Sequence, residues 1–169
     1  SQGLIPVAGL PGIQPWEAAS SIRQHSNASP PSSPMTLTLR VLAPDQSVYD
    51  GAADEVILPS TTGQMGILPG HVAMLAALDT GVLRVREAGN WKAIALMGGF
   101  AEVENNEVTV LVNAAELASS IDATAAEREL EAAQQAAAAL EGQPDSTEKV
   151  KAQQALSRAR ARFQATKAG

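Results

Sequence analysis

The chain has no cysteine, which excludes disulfide bridges and thiolate metal sites together. Its two histidines are His25 and His71, too few for a histidine-rich metal cluster, and no metal ligand set is read anywhere. Aromatic residues amount to 3%, which speaks against a large aromatic-lined ligand pocket. Alanine carries much of the apolar fraction instead and points to alanine-rich helix contacts. Lysine and arginine number 12 against 18 acidic residues, a net charge of −6. General nucleic-acid binding needs a basic face, so no nucleic acid is expected as a partner. No run approaches the roughly 18 apolar residues that suggest a membrane span. The chain is therefore expected to be soluble, or peripheral to a membrane through another protein. Neither a Gly-x-x-x-x-Gly-Lys phosphate loop nor a Gly-x-Ser-x-Gly nucleophile turn occurs. Nothing builds a convincing active site, and no cofactor is expected.

What the sequence does contain falls into three regimes. Residues 1–34 read as a disordered or appended leader. Pro6, Pro11, Pro15, Pro30, Pro31 and Pro34 interrupt any helix, and the stretch ends in Ser29-Pro30-Pro31-Ser32-Ser33-Pro34. It is serine-rich and acid-poor, somewhat like a transit peptide, but Arg23 is its only strong base. Met35 then reads as the natural first residue.

From Met35 the apolar period becomes two. Leu37, Leu39 and Val41 alternate with Thr36, Thr38 and Arg40, the pattern of a half-buried strand. Short strands are expected at Val48-Tyr49, Val56–Leu58, Gly66–Leu68 and Ala73–Leu78, then a turn at Asp79-Thr80-Gly81. Val82–Glu87 follows and turns at Gly89-Asn90 into Trp91–Met97. A break is expected at Gly98-Gly99, then Phe100–Glu104, a tight hairpin at Asn105-Asn106 and Glu107–Val112. Residues 35–113 therefore predict an antiparallel β-sandwich or flattened barrel.

Residues 114–121 read as a linker and 122–169 as an antiparallel two-helix hairpin. Asp122 is a candidate N-cap. Ala126, Leu130, Ala133, Ala137 and Leu140 form one narrow stripe, and Gly142-Gln143-Pro144 ends the first helix. Asp145 and Glu148 suggest a capping box for a second helix with the stripe Ala152, Ala155, Leu156, Ala159 and Phe163. The first helix is acidic and the second basic. Lys151, Arg158 and Arg162 share one face of the second helix, and Arg160 lies opposite. Alanine favours helix but buries little area, so the hairpin is expected to be weakly held.

The densest punctuation lies in Leu58–Leu75, where Pro59, Gly63, Gly66, Pro69 and Gly70 frame Gln64 and Met65 ahead of His71. Such framing makes a shaped connection, with the glycines free to take positive φ and Gln64 and Met65 available for contact. The run Gly63–His71 resembles the signature loop of the epsilon subunits of F-type ATP synthases. Glu55–Pro59, Leu96–Val103 and Val108–Val112 match that family as well. Arg158–Phe163 is most similar to its cyanobacterial and chloroplast versions.

The resemblance implies a non-catalytic rotor subunit of a proton-translocating synthase. Its partners would be the gamma subunit, the membrane c-ring and the catalytic alpha and beta subunits. Gly63, Gln64, Met65, Gly66, Gly70 and His71 would contact shaft and ring. Lys151, Arg158, Arg160 and Arg162 would lie on an inhibitory helix that meets acidic segments of the catalytic head and restrains ATP hydrolysis. Its place would be the cytoplasmic or stromal face of an energy-converting membrane, the thylakoid above all. Nucleotide-sensing relatives carry Ile/Leu-Asp-x-x-Arg-Ala where this chain has Ile121-Asp122-Ala123-Thr124-Ala125-Ala126. Ala125 stands where their arginine would be, leaving Ile121 and Asp122 as a remnant site. Two other classes are weighed. One is a dimeric aspartic protease using Asp79 of Asp79-Thr80-Gly81; the other is a stand-alone ATP-sensing module.

Overall fold

The computed structural model describes residues 36–168. The leader expected at 1–34, and Met35 after it, lie outside the described residues.

Eight strands precede two helices. The strands are β1 (Leu37–Ala43), β2 (Gln46–Ala53), β3 (Glu55–Ser60), β4 (Gly63–Ile67), β5 (Met74–Glu87), β6 (Asn90–Glu104), β7 (Glu107–Val112) and β8 (Ala115–Leu117). A 3-10 turn at Ala118–Ser120 leads to α1 (Ala123–Ala139) and α2 (Thr147–Ala168). The sheet order is β2-β1-β7-β6-β5-β3-β4, with β8 paired to β6. Only β1 and β7 run parallel among these pairings. This is the antiparallel-dominated β-sandwich followed by a helical hairpin that the periodicity predicts.

Alternation places the core. Leu37, Leu39 and Val41 of β1 are buried together with Val56 and Leu58, Leu83 and Val85, Ile94 and Leu96, and Val108 and Val110. The stretch 114–121, expected as a linker, is instead structured. Ala115 and Leu117 pair with Leu96 and Ile94 in β8, and Ile121 is buried under the helices.

The expected turn at Asp79–Gly81 and the expected break at Gly98-Gly99 are both absent. Each sits inside a long strand, and the β5–β6 pairing runs through in constant register, with Leu78 opposite Gly99 and Thr80 opposite Met97. The residues bend the chain without interrupting it because both strands bend together. Across this corner the core-facing set changes from Leu78 to Leu83 and Val85 on β5, and from Ile94 and Leu96 to Ala101 and Val103 on β6. One strand pair thus serves both layers. Gly98 and Gly99 take φ of +72° and +147°. A Cβ at Gly99 would lie 2.1 Å from the Leu111 carbonyl oxygen, so no other residue fits there.

A second, smaller core joins the helices to the outer face of β5 and β6. It contains Ala93, Ala95, Ile121, Ala126 and Ala165, with Val82, Met97 and Phe163 against it. On α1 and its C-cap Leu140 the least exposed residues are Ala126, Leu130, Ala133, Ala137 and Leu140, the stripe that the spacing predicts. The predicted α2 stripe is also shielded, but Ala161 and Ala165 are buried besides. The C-terminal half of α2 therefore has two covered faces, one toward α1 and one toward the sheet. Asp122 caps α1, its Oδ1 accepting from the Thr124 and Ala125 amides at 2.9 and 3.1 Å. For α2 the cap is Ser146, whose hydroxyl accepts from the Lys149 amide at 3.2 Å. Asp145 lies one position too early for that bond and instead pairs with Lys149 Nζ at 3.7 Å.

Candidate functional site

The loop end of the sandwich is built from the β3–β4 hairpin and the turn after it. Pro59 pairs with Gln64 and Ser60 with Gly63, so half of the punctuated stretch is ladder. Ser60 is the one buried polar residue among those described. Its hydroxyl accepts from the Thr62 amide at 3.3 Å and also donates to the Gly63 carbonyl, fastening the tip. Gly63 and Gly70 have φ of +125° and +87°, as their framing predicts. Gly66 does not. It is an extended residue of β4 opposite Ile57, so its place is set by the ladder. Met65, expected as a contact residue, is half-buried against the main core; with Ile67 it falls on the inward parity of β4, and Gln64 faces out. His71 Nδ1 donates to the Val72 carbonyl, 2.9 Å away, and its amide donates to the Leu68 carbonyl at 3.1 Å.

Asn106 holds this turn from outside. Its Oδ1 accepts from the Gly70 amide at 2.7 Å, and its carbonyl accepts from the Thr38 amide at 2.8 Å. Sequence reasoning places Asn106 only in a hairpin turn, where its φ of +63° fits a two-residue connection.

Around the same end lies an apolar surface that the sequence reading misses. Leu68, Val72 and Leu75 are 51%, 73% and 69% exposed, and Phe100 and Leu111 are 47% and 40%. Register sets Ala77, Phe100 and Leu111 side by side across β5, β6 and β7, with Leu75 two residues before Ala77 on the same face. The available signal was parity: Ala101 and Val103 face the core, so Phe100 points outward with Glu102.

At the helix end, Arg158 and Arg162 line one cleft of about 610 Å³ with Glu116, Glu129, Met97 and Ala114. Arg162 uses all three of its guanidinium nitrogens. Its Nε and Nη2 donate to Glu116 Oε1 and Oε2 at 3.1 and 3.2 Å, and its Nη1 donates to Glu129. Burial by itself would lower its pKa, but the hydrogen bond and charge of Glu116, with Glu129 beside it, outweigh that and raise it. Arg158, Arg160 and Lys151 are exposed and have no ion pair among the described residues. Arg158 also borders a cleft of about 850 Å³ with Asp79, Asn113 and Ser157; Lys151 and Arg160 line neither cleft. Glu116 is the residue that sequence reading overlooks here, since its role depends on the unexpected strand β8.

The remnant nucleotide residues have structural work: Ile121 is core and Asp122 is a cap. Asp79 is exposed within a continuous strand, and its neighbour Gly81 abuts Pro59, where a Cβ would come within 2.9 Å. No helix among the described residues is long and apolar enough to cross a membrane.

Two family models account for nearly all of the described chain. The model described as ATP synthase, Delta/Epsilon chain, beta-sandwich domain matches residues 36–118. The one described as ATP synthase, Delta/Epsilon chain, long alpha-helix domain matches 119–167. The chain belongs to the ATP synthase epsilon chain family. An ATP synthase epsilon chain of Synechococcus sp. (strain WH7803) is 73% identical over 133 residues, covering 79% of this chain and 98% of the relative. One from Prochlorococcus marinus (strain MIT 9211) is 69% identical over the same span and shares. A solved chain of the Euglena gracilis mitochondrial ATP synthase, OSCP/F1/c-ring, shares the fold. Its TM-score is 0.65 at 24% identity, covering 76% of this chain and 79% of that one. A member of this family is a non-catalytic subunit of the synthase, which removes the protease reading of Asp79.

Proposed function

We propose that this epsilon chain joins the gamma shaft to the membrane c-ring through its loop end and restrains ATP hydrolysis through α2. The observation that carries the first part is the exposed apolar surface of Leu68, Val72, Leu75, Phe100 and Leu111 beside a turn held by Ser60 and Asn106. A surface of this kind on a fastened frame suits a permanent partner. The gamma shaft is the occupant of the Leu75–Phe100–Leu111 face, and Gly63, Gln64, Gly70 and His71 reach toward the ring. The second part is supported by the exposed cations Lys151, Arg158 and Arg160 on a helix seated mainly on alanine. Acidic segments of the catalytic alpha and beta subunits are its partners. The chain then works at the periphery of an energy-converting membrane, on the cytoplasmic or stromal side, with the thylakoid favoured by its cyanobacterial relatives.

Co-purification of gamma with tagged epsilon chain tests the docking face. Leu75→Ser with Phe100→Ser is expected to lower gamma retention by at least about tenfold, the effect of losing roughly 1.4 kcal/mol of interface burial. Thermal melting of the variant alone should stay close to wild type, because both side chains are already solvent-exposed. Full retention of gamma by a folded double variant would place the shaft elsewhere.

A further inference from the structure

Arg162 stands where three elements meet. Its guanidinium is forked onto Glu116 of β8 and bound to Glu129 of α1, while the residue itself belongs to α2. The buried residues of the seat are mostly alanine, Ala93, Ala95, Ala126 and Ala165 beside Ile121, with Val82, Met97 and Phe163 packed against them. Alanine removes little surface from water, and the two carboxylates add directional contacts that hold Arg162, and with it the C-terminal half of α2, toward β8 and α1. The fork is also specific: both carboxylate oxygens of Glu116 are used, a geometry that lysine cannot copy.

We propose that Glu116 and Glu129 are internal counter-carboxylates that compete with an acidic partner surface for Arg162, so that α2 leaves its seat only when outside carboxylates replace them. The proposal rests on the reading of α2 as the restraining helix and adds the residues that set its threshold. In the seated state the Nε–H and one N–H each on Nη1 and Nη2 are taken by Glu116 and Glu129, so an outside carboxylate gains the same forked geometry only by replacing them. Arg158 lies one turn earlier, lines the same cleft and has no ion pair among the described residues. It is the charge that first meets an acidic partner, and Arg162 is the one exchanged. The inward pull of Glu116 and Glu129 opposes the outward pull of the partner, and their difference sets how much helix is released.

The experiment uses the full chain carrying Glu116→Gln, Glu129→Gln, or both. Hydrogen exchange of the α2 amides from Ala159 to Ala165 reads release of the helix without any partner present. Glutamine keeps size and polarity but removes the charge, and Glu129 is solvent-exposed on α1, so Glu129→Gln does not depend on refolding of β8. Each single variant is expected to speed exchange roughly three- to tenfold and the double variant more, with β-strand amides unchanged. Arg162→Lys should resemble Glu116→Gln, since it keeps the charge and loses the fork. Unchanged α2 exchange in the double variant overturns the proposal. The same variants in the assembled synthase are expected to restrain hydrolysis more strongly than wild type. Faster exchange with no gain in restraint supports the clasp and overturns the reading of α2 as the restraining helix, so the two failures are distinguishable.

Discussion

Tyr49 shows how a single side chain ties distant strands together. Its hydroxyl donates to Glu87 Oε2 at 2.7 Å, and Lys92 Nζ meets the other oxygen of the same carboxylate at 2.6 Å. Burial, then the hydrogen bond and the charge of Glu87, raise the Tyr49 pKa above the ordinary phenol value. A folded state that grips the proton more tightly is stabilised fully below the unfolded pKa, near about 10, and loses that support as pH rises beyond it. Tyr49→Phe is therefore expected to lower Tm by a few degrees at neutral pH. On the alkaline side the gap should narrow, because only the wild type has this contribution to lose. Melting curves from about pH 7 to pH 11 check both the offset and its convergence. Other single residues are legible in the sequence: Asp122 precedes an apolar stripe, and the capping bond follows. Ser146 was not, because Asp145 and Ser146 are both good caps and only the starting phase of the helix decides between them. The half-burial of Met65 was not legible for a related reason, since its glycine neighbours hide the strand parity that turns it inward.

Among the elements, the helices were the most legible. A four-three stripe of apolar residues survives unchanged in the structure because nothing else competes for those faces. The second covered face of α2 was hidden, as Ala161 and Ala165 read equally well as helix formers and as buried contacts. The strands were legible in sequence position and illegible in length. Asp79–Gly81 and Gly98-Gly99 have the chemistry of turns, and the chain does bend there, but paired strands that bend in concert keep their hydrogen bonds. α2 itself gives the sharpest element-level test. Removing the chain after Gln143 is expected to leave assembly and synthesis intact and to raise ATP hydrolysis. Arg158→Ala should reproduce roughly a tenfold part of that rise, the effect of one charge-assisted contact of about 1.4 kcal/mol. Arg162→Ala should change hydrolysis less than Arg158→Ala, because it frees the helix as well as removing a contact. Arg128→Ala on α1 serves as the control and should leave the rate unaltered. Steady-state hydrolysis by the reconstituted complex measures all four, and equal inhibition by truncated and full-length chains would sink the assignment to α2.

For the whole molecule, composition and period gave the two-part architecture, while the exposed apolar face of Leu75, Phe100 and Leu111 became visible only from three-dimensional register. The stand-alone ATP-sensor reading can be tested on the intact chain. Ala125 supplies no cation, Asp122 is occupied as a cap, and Arg162 is occupied by two carboxylates. Calorimetry is expected to find no saturable binding at micromolar ATP, and Ala125→Arg should strengthen whatever weak binding exists. A micromolar dissociation constant for the wild type would mean that the carboxylates yield Arg162 to phosphate.

The unbroken β5–β6 pair has a mechanical consequence. Met74 faces Val103 next to the loop end, and Glu87 faces Asn90 at the far hairpin, with Ala93 and Ala95 forming part of the seat of α2 between them. Tension along such a ribbon loads its hydrogen bonds in shear, so many of them share the strain at once instead of parting one after another. The glycine corner turns the pair without parting it, since the ladder crosses that corner in step.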